Sequence, residues 1–161
     1  MSTISLLLDE TDRSILAFLQ EEGRLTNVEI GRRLGLSAPA IHARVRRLES
    51  DGLVQRYVAV LDHERLGYDM VCFVQISLQT HSSERVEQFR EAVRAIPEVL
   101  ECHHITGEYD YLLKVLAHNR KDLERIVMHR LTPIAGVARI HTSLALAEVK
   151  RTTAIPLGGE E

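Results

Sequence analysis

Three closely spaced arginines, Arg44, Arg46 and Arg47, are the residues of this chain whose type and spacing most clearly suggest a chemistry. They follow a Gly35-Leu36-Ser37 turn and lie on a stretch that is predicted to be helical. A guanidinium group bonds phosphate oxygens and the edge of guanine, so a helix with cations on one face suits a nucleic-acid duplex. The alternative is an ordinary solvated helix face that is charged.

Charge is distributed unevenly along the chain. The 161 residues have a net charge of only −3, which argues against a generally basic coat. Between Arg32 and Arg56, however, there are six arginines and two acidic residues, whereas from Asp62 onward there are 12 basic and 15 acidic residues. This segregation is typical of one DNA-contacting module joined to a mildly acidic remainder.

Three short helices are predicted to position the arginines. The first covers about residues 10–22. Thr26 and Glu29 form a capping-box pair that begins the second helix, and Ser37 caps the third. The second helix, the turn and the third helix predict a helix-turn-helix, and residues 53–61 predict a small wing of one or two strands.

The third helix has one apolar side and one side suited to DNA. At about 100° per residue, Ile41, Val45 and Leu48 share a narrow sector that predicts the buried side. Residues near the start of such a helix lie closest to base edges, and we expect Arg46 to make the most direct base contact. The predicted DNA-contacting residues are Ser37, Pro39, His42, Ala43 and Arg46, with Arg44 and Arg47 reaching phosphates on either flank and Arg32, Arg33 and Arg56 adding backbone contacts.

Composition excludes several other classes of protein. Two isolated cysteines, Cys72 and Cys102, make neither a disulfide framework nor a metal-ligand set. The absence of a signal peptide and of an apolar run of roughly 20 residues predicts a cytoplasmic protein with no membrane partner. Because it is also predicted to bind DNA, we expect it to be nucleoid-associated. Aromatic residues are only 4% of the chain, which disfavours stacking on single-stranded nucleic acid. No nucleophile with a base partner is visible, so neither catalytic residues nor a cofactor are predicted.

The remainder predicts strands and helices in the order β-α-β-β-α-β, the ferredoxin-like plan, and an α+β fold overall. Helices cover only one face of such a sheet, and a homodimer is the simplest way to bury the other face. The predicted boundaries are 1–61 for the winged helix-turn-helix domain, 62–68 for a linker, 69–152 for the ferredoxin-like domain and 153–161 for a flexible tail.

Four stretches, in this order and spacing, resemble the Lrp/AsnC family of transcriptional regulators. They are Leu8-Asp9-Glu10-Thr11-Asp12; Gly35-Leu36-Ser37 with Arg44-Val45 and Arg47-Leu48-Glu49; Thr106 to Leu113; and Gly136-Val137 with Thr142. The likeness covers about residues 8–150. It implies a DNA-binding winged helix-turn-helix and a second (RAM) domain that dimerises. It also implies assembly into octamers or larger particles, with an amino-acid effector bound at interfaces between C-terminal domains.

The resemblance places the effector pocket around the turn at Gly107. By that likeness Thr106, Gly107, Tyr109 and Asp110 line the pocket. His104 lies two residues before Thr106, on the same predicted strand face, and is expected to tune the pocket and its pH response. Backbone N–H groups at a tight turn suit a carboxylate and Asp110 suits an ammonium, so a free amino acid matches both. From the residues alone, a plain hairpin connection and a structural hydrogen bond from Asp110 stay open as alternatives.

Two other functions stay open at this stage. Haem-biosynthetic decarboxylases resemble the same two-domain frame, and a nucleoid-associated architectural protein would need no ligand switch. The adjacent pair His103-His104 is a poor metal site, because neighbouring residues on a strand face opposite sides. The sequence therefore favours a metabolite-sensing DNA-binding regulator over an enzyme.

Overall fold

In a computed structural model of the chain, residues 8–80 and 82–157 are described, and they belong to two compact units. The first unit contains the chain up to Val60 together with the segment from Lys150 onward. The second unit contains Leu61–Val149. No helix in the described ranges combines the length and the apolar character needed to cross a bilayer.

The N-terminal unit contains three helices, α1 (Glu10–Glu21), α2 (Asn27–Leu34) and α3 (Ala38–Ser50). Side-chain caps fix where each one begins. Asp9 and Thr26 each form a reciprocal capping box, and the Ser37 hydroxyl accepts a hydrogen bond from the Ala40 N–H at 3.4 Å. Gly35 ends α2 in the left-handed conformation, with φ at 68°. The predicted helix-turn-helix is confirmed.

The core of this unit follows the predicted apolar periodicity. The fully or nearly fully buried side chains are Ile15, Leu16, Ile30, Ile41, Val45 and Leu48. The contact between α2 and the turn that follows it is unusually close, because a Cβ at Gly31 would lie 2.5 Å from the Leu36 carbonyl oxygen. Glycine at this position lets the start of the α2–α3 turn pack against α2, which sets the angle at which α3 is presented.

The prediction of strands between residues 53 and 61 is wrong in the described structure, which contains no strand there. The N–H groups of Leu53 and Val54 donate to the Leu48 carbonyl and wrap the chain around the end of α3. Beyond them Val58 and Val60 are each 67% exposed. A two-stranded ribbon without a third strand is at best marginally stable, so alternating valines alone do not predict strands.

The C-terminal unit has the predicted order of elements. Its strands and helices are β1 (Met70–Leu78), α4 (Ser83–Arg94), β2 (Val99–His104), β3 (Tyr111–Ala117), α5 (Arg120–Ile126) continued by a π-helical turn (Val127–Leu131), and β4 (Val137–Leu144). The sheet order is β2-β3-β1-β4 with antiparallel neighbours. The last strand ends at Leu144.

The sheet has a covered face and an open face. On the covered face, the side chains at alternate positions of β1 point toward α4 and α5. Fully buried there are Cys72, Val74 and Ile76, together with Phe89 of α4. The intervening Phe73 lies on the opposite face and is 39% exposed. The two-faced sheet anticipated from the β-α-β-β-α-β order is therefore present.

The last described residues do not match the expectation of a flexible tail. The Ile155 N–H donates to Gln20 Oε1 at 2.6 Å, and Gln20 Nε2 donates back to the Ile155 carbonyl at 3.1 Å. Arg13 donates to the Leu157 carbonyl at 3.2 Å, and the Leu157 side chain packs on the helical core. The segment 150–157 is thus part of the N-terminal unit. Residues 158–161 lie outside the described residues.

Candidate nucleic-acid interface and effector site

The surface of α3 opposite its buried side carries the predicted base-reading residues. Ser37, Pro39, His42, Ala43 and Arg46 are all exposed, while Ile41, Val45 and Leu48 face the core. Within the described part of the chain, Arg46 makes no ion pair. A small, uncrowded surface with one available guanidinium group is suited to the floor of a DNA major groove.

The other two arginines of α3 are bound to acids of α1. Arg44 Nη1 lies 2.6 Å from Asp9 Oδ2 and 2.8 Å from Asp12 Oδ1. Arg47 Nη2 bonds the second oxygen of Asp12. Asp12 is 1% exposed, so its charge is almost completely removed from water and is balanced by two guanidinium groups.

This arrangement changes what Arg44 and Arg47 can do. Their side chains are 31% and 50% exposed, so some of the five N–H donors of each group still face solvent. The ion pairs to α1 fix the orientation of both groups and attach α3 to α1. Hydrogen bonds from Arg44 and from the Asp12 N–H lower the pKa of Asp9, so that carboxylate stays ionised to a more acidic pH than an ordinary aspartate.

The arginines predicted to flank the interface are exposed. Arg32, Arg33 and Arg56 all lie on the surface of the N-terminal unit. The Arg33 guanidinium also stands 5.1 Å from the centre of the Phe18 ring, a cation–π distance. Arg33 therefore contacts α1 through an aromatic ring, whereas Arg44 contacts the start of that helix through ion pairs.

The sequence reasoning missed the roles of Asp9 and Asp12 in positioning the arginines. In the sequence both residues stand out only as part of a stretch that carries the family resemblance. A usable signal was present, because acids three residues apart on α1 match arginines three residues apart on α3. The pairing joins residues 32 to 35 positions apart, however, and local patterns do not show which helices meet.

The turn between β2 and β3 is built as predicted, with Gly107 at a φ of 122°. Nothing lies within 4 Å of the position that a Cβ would occupy there, so the turn is open to solvent on that side. The Tyr109 ring lies 4.8 Å from the Arg139 guanidinium, and Arg139 bonds Glu108 at 3.0 Å. Thr106, Gly107 and Tyr109 are thus brought together beside β4.

Asp110 has the structural role that the sequence left open. Its carboxylate accepts a hydrogen bond from the Leu78 N–H at 2.7 Å, at the end of β1. Its own N–H donates to the Ile76 carbonyl at 3.0 Å, and its carbonyl accepts from the Ile105 N–H at 2.9 Å. Asp110 therefore ties the turn to the sheet.

His104 lies on a different side of the sheet from Tyr109. It is paired with the buried Tyr111, and the two rings stack at 4.9 Å on the face covered by α4. Tyr109 is instead near His141, 6.1 Å between ring centres, and His141 pairs with Gln75 of the open face. The structure does not group His104 with the Gly107 turn.

His103 and His104 face opposite sides of β2, as the alternation of a strand requires. His103 Nε2 contacts Glu101 Oε2 at 3.1 Å. Among the described residues there is no group of three acidic, histidine or cysteine side chains placed to hold a metal ion.

Two protein-family models match the chain. "Winged helix-turn-helix DNA-binding" matches residues 8–55, and "Lrp/AsnC ligand binding domain" matches residues 71–155. The first match covers all three helices of the N-terminal unit. The second covers every strand of the sheet except the first residue of β1, and it includes the Gly107 turn.

Individual relatives agree with both matches. The leucine-responsive regulatory protein of Escherichia coli K12 is 38% identical over 145 residues, which are 90% of this chain and 88% of that protein. The transcriptional regulator AzlB of Bacillus subtilis is 29% identical over 154 residues, 96% and 98% of the two chains. These relatives are transcriptional regulators, in agreement with the expectation of a regulator rather than an enzyme.

Solved structures give the same result. A transcriptional regulator from Neisseria meningitidis in complex with L-methionine superposes with a TM-score of 0.90 and 39% identity, covering 93% of this chain and 97% of the other. The feast or famine regulatory protein of M. tuberculosis, complexed with L-methionine, gives a TM-score of 0.80 and 31% identity, with coverage of 92% and 98%. The match extends across both units of the chain.

Proposed function

Since the chain belongs to the Lrp/AsnC family of DNA-binding transcriptional regulators, we propose that the exposed face of α3 reads an operator sequence in the major groove. We further propose that the C-terminal units form a dimer and that an amino acid bound near the Gly107 turn modulates DNA binding. The observation that supports the reader assignment best is the exposed Arg46, flanked by Pro39, His42 and Ala43, on a helix that α1 holds through two ion-paired arginines.

In this proposal the three arginines of α3 have different roles. Arg46 makes direct contacts with base edges, where a bidentate bond to guanine gives the largest discrimination. Arg44 and Arg47 are positioned by Asp9 and Asp12 and use their remaining N–H donors on phosphates. Because counterions are released from each phosphate that is neutralised, affinity falls steeply with salt.

Fluorescence anisotropy with Arg46→Ala tests the reader assignment. The probe is a labelled duplex that the wild-type protein has selected from a random-sequence pool. Losing one bidentate base contact weakens binding by about 1–3 kcal/mol, or roughly 5- to 150-fold. Preference for the selected duplex over a scrambled one shrinks at the same time.

The matched control is Arg120→Ala, at the start of α5 in the other unit, which leaves affinity and specificity unchanged. Unchanged affinity of Arg46→Ala contradicts the reader assignment. Equal affinity of the wild-type protein for selected and scrambled duplexes supports the architectural alternative instead.

The effector proposal rests on the open backbone at Gly107 and on the side chains around it. Two solved relatives contain L-methionine, and another relative is named for its response to leucine. The N–H groups of the turn are suited to a carboxylate, while Thr106 and the Tyr109 ring supply polar and apolar walls. Asp110 fixes the turn through its hydrogen bond with the Leu78 N–H.

Thermal shift of the full chain against the twenty amino acids tests this part. We expect a stabilising shift with an apolar amino acid such as L-methionine or L-leucine, because a ligand of the folded state raises the melting temperature. Tyr109→Ala reduces that shift and keeps normal affinity for the selected duplex. A full shift in Tyr109→Ala removes the Gly107 turn as the effector site.

A further inference from the structure

A cavity lies between helix α4 and the edge strand β2, and none of its lining residues belongs to the Gly107 turn. Its volume is about 410 Å³, within the range of small-ligand sites in proteins. Its floor consists of Cys102, His104 and Tyr111, and Arg90 and Arg94 stand on its α4 side. We call it the α4–β2 pocket.

The fold produces this pocket by simple alternation. Cys102 pairs with the buried Leu113 and His104 with the buried Tyr111, so both β2 side chains point to the side on which α4 packs. Arg90 and Arg94 are four residues apart on α4 and therefore share one face of the helix. Val93, Val99 and Leu100 complete an apolar wall.

A buried hydroxyl group indicates that the pocket is built for a polar ligand atom. Tyr111 is 2% exposed, and its ring packs on Phe89 at 4.5 Å and on His104 at 4.9 Å. Its hydroxyl has no hydrogen-bond partner of ordinary length and angle. Arg90 is nevertheless close enough that the phenol raises the pKa of Arg90. A buried polar group without a partner is destabilising, and a ligand oxygen would satisfy it.

The charges around the pocket select the kind of ligand. Arg90 and Arg94 each use one nitrogen on Glu87, at 3.6 and 3.1 Å, and Glu87 is half exposed. Ion pairs of that kind are weak, so the remaining guanidinium donors can bind an anion. Glu101 also lines the pocket, but its carboxylate is bound to His103 and Lys114 toward the open face of the sheet. An incoming ammonium group therefore finds the carboxylate of this lining residue already paired with two basic side chains.

From this arrangement we propose that the α4–β2 pocket binds a small carboxylic acid with an apolar body and no amino group, such as a 2-oxo acid. Arg90 and Arg94 hold the carboxylate, and the Tyr111 hydroxyl donates to a ligand oxygen. Val93, Val99 and Leu100 contact the apolar body. A 2-oxo acid has a carbonyl group at the carbon that bears the amino group in an amino acid. The pocket therefore binds a chemical class different from the one proposed for the Gly107 turn.

The exposed thiol of Cys102 provides the test, because it lines the pocket while Cys72, the other cysteine of the chain, is buried. The full chain is alkylated with iodoacetamide, and modification of Cys102 is followed by mass spectrometry. Burial raises the pKa of this thiol, so the reaction is run at about pH 8.5 to form enough thiolate. The probes are 4-methyl-2-oxopentanoate and its amino counterpart, L-leucine.

We expect the oxo acid to slow alkylation of Cys102 at least threefold at saturation, and L-leucine at the same concentration to leave the rate unchanged. The paired substitution Arg90→Gln with Arg94→Gln removes the protection. The matched control, Arg85→Gln, keeps it, because Arg85 is an exposed arginine of the same helix outside the pocket lining. Loss of protection in the control, or equal protection by L-leucine, overturns the proposal.

Tyr111→Phe separates binding from folding. Because the hydroxyl has no hydrogen bond of ordinary length and angle, the variant retains thermal stability, while the oxo-acid concentration for half protection rises about tenfold. An unchanged half-protection concentration overturns the role of the hydroxyl. Tyr109→Ala keeps full protection of Cys102, which distinguishes this pocket from an effect transmitted from the Gly107 turn.

Discussion

Asp12 illustrates how one residue can control several functional ones. It is the third residue of α1 and completes the capping box with Asp9, and its 1% exposed side chain binds the guanidinium groups of Arg44 and Arg47. A carboxylate in that position is stabilising only while its partners remain, because an unpaired buried charge is strongly unfavourable. Asp12 therefore connects the stability of the N-terminal unit with the orientation of the DNA-reading helix.

Asp12→Ala is expected to lower the free energy of unfolding of the N-terminal unit. Removing one member of a buried ion pair costs about 3–5 kcal/mol. We expect about 2–3 kcal/mol here, because Arg44 keeps Asp9 as a partner and both arginines are partly hydrated. Urea unfolding followed by circular dichroism measures the change.

The control for this experiment is Asp51→Ala, an exposed acid at the C-cap of α3. It shifts stability by no more than about 0.5 kcal/mol, the range of ordinary surface substitutions. If Asp12→Ala and Asp51→Ala unfold at the same urea concentration, the triad of Asp12, Arg44 and Arg47 is not an important source of stability.

Comparison of individual residues shows what the sequence could and could not predict. The burial of Ile41, Val45 and Leu48 followed from helical periodicity, which is local information. The partners of Arg44 lie more than 30 positions away and depend on how α1 packs against α3. For Asp110, both a ligand contact and a structural bond were compatible with the sequence, and only the position of the Leu78 N–H identified its hydrogen bond.

At the scale of elements, the segment 150–157 is the main departure from the sequence-based prediction. Its composition resembles a loose tail, yet Ile155 exchanges two hydrogen bonds with Gln20 of α1 and Leu157 packs on the helical core. The composition of a segment indicates whether it can form a hydrophobic core of its own. It does not show whether the segment packs on a core formed by other parts of the chain.

Leu157→Ala measures the contribution of this segment. Full burial of a leucine side chain is worth about 1.5–3 kcal/mol, and Leu157 is only partly buried, so a loss of about 1 kcal/mol is expected. Amides of α1 should exchange with deuterium faster in the variant, since the contact covers that helix.

Val149→Ala serves as the matched control, because Val149 is 97% exposed and its truncation removes no packing. Identical exchange rates of the α1 amides in wild type and Leu157→Ala would mean that the segment rests on α1 without stabilising it.

For the whole molecule, the open face of the sheet is the feature with the widest consequences. Phe73 is 39% exposed there, surrounded by a mixture of apolar and polar side chains from neighbouring strands. Packing this face against a second copy would remove its exposed apolar area from water. A twofold arrangement would also provide two α3 helices for two half-sites of an operator.

Phe73→Glu tests the proposed dimer. A carboxylate facing its own copy across a twofold axis meets a like charge and loses its hydration, so the protein should elute as a single chain in size-exclusion chromatography with light scattering. Affinity for the selected duplex falls as well, because each chain then binds one half-site alone.

Met128→Glu is the control, an equally drastic change of an exposed apolar residue that lies in the π-helical turn outside the sheet. It leaves the open face of the sheet unchanged, and the variant should have the same mass in solution as the wild-type protein. A wild-type mass for Phe73→Glu excludes the open face as the dimer interface.

Because the chain leaves the N-terminal unit at about residue 60 and re-enters it at residue 150, the C-terminal unit is topologically an insertion within the DNA-binding unit. A fragment ending at residue 61 would therefore lack a piece of its own hydrophobic core and should be less stable than the same helices in the intact chain. Truncation of the chain before residue 150 should destabilise α1 for the same reason, because it removes the hydrogen bonds of Ile155 and Leu157 to that helix.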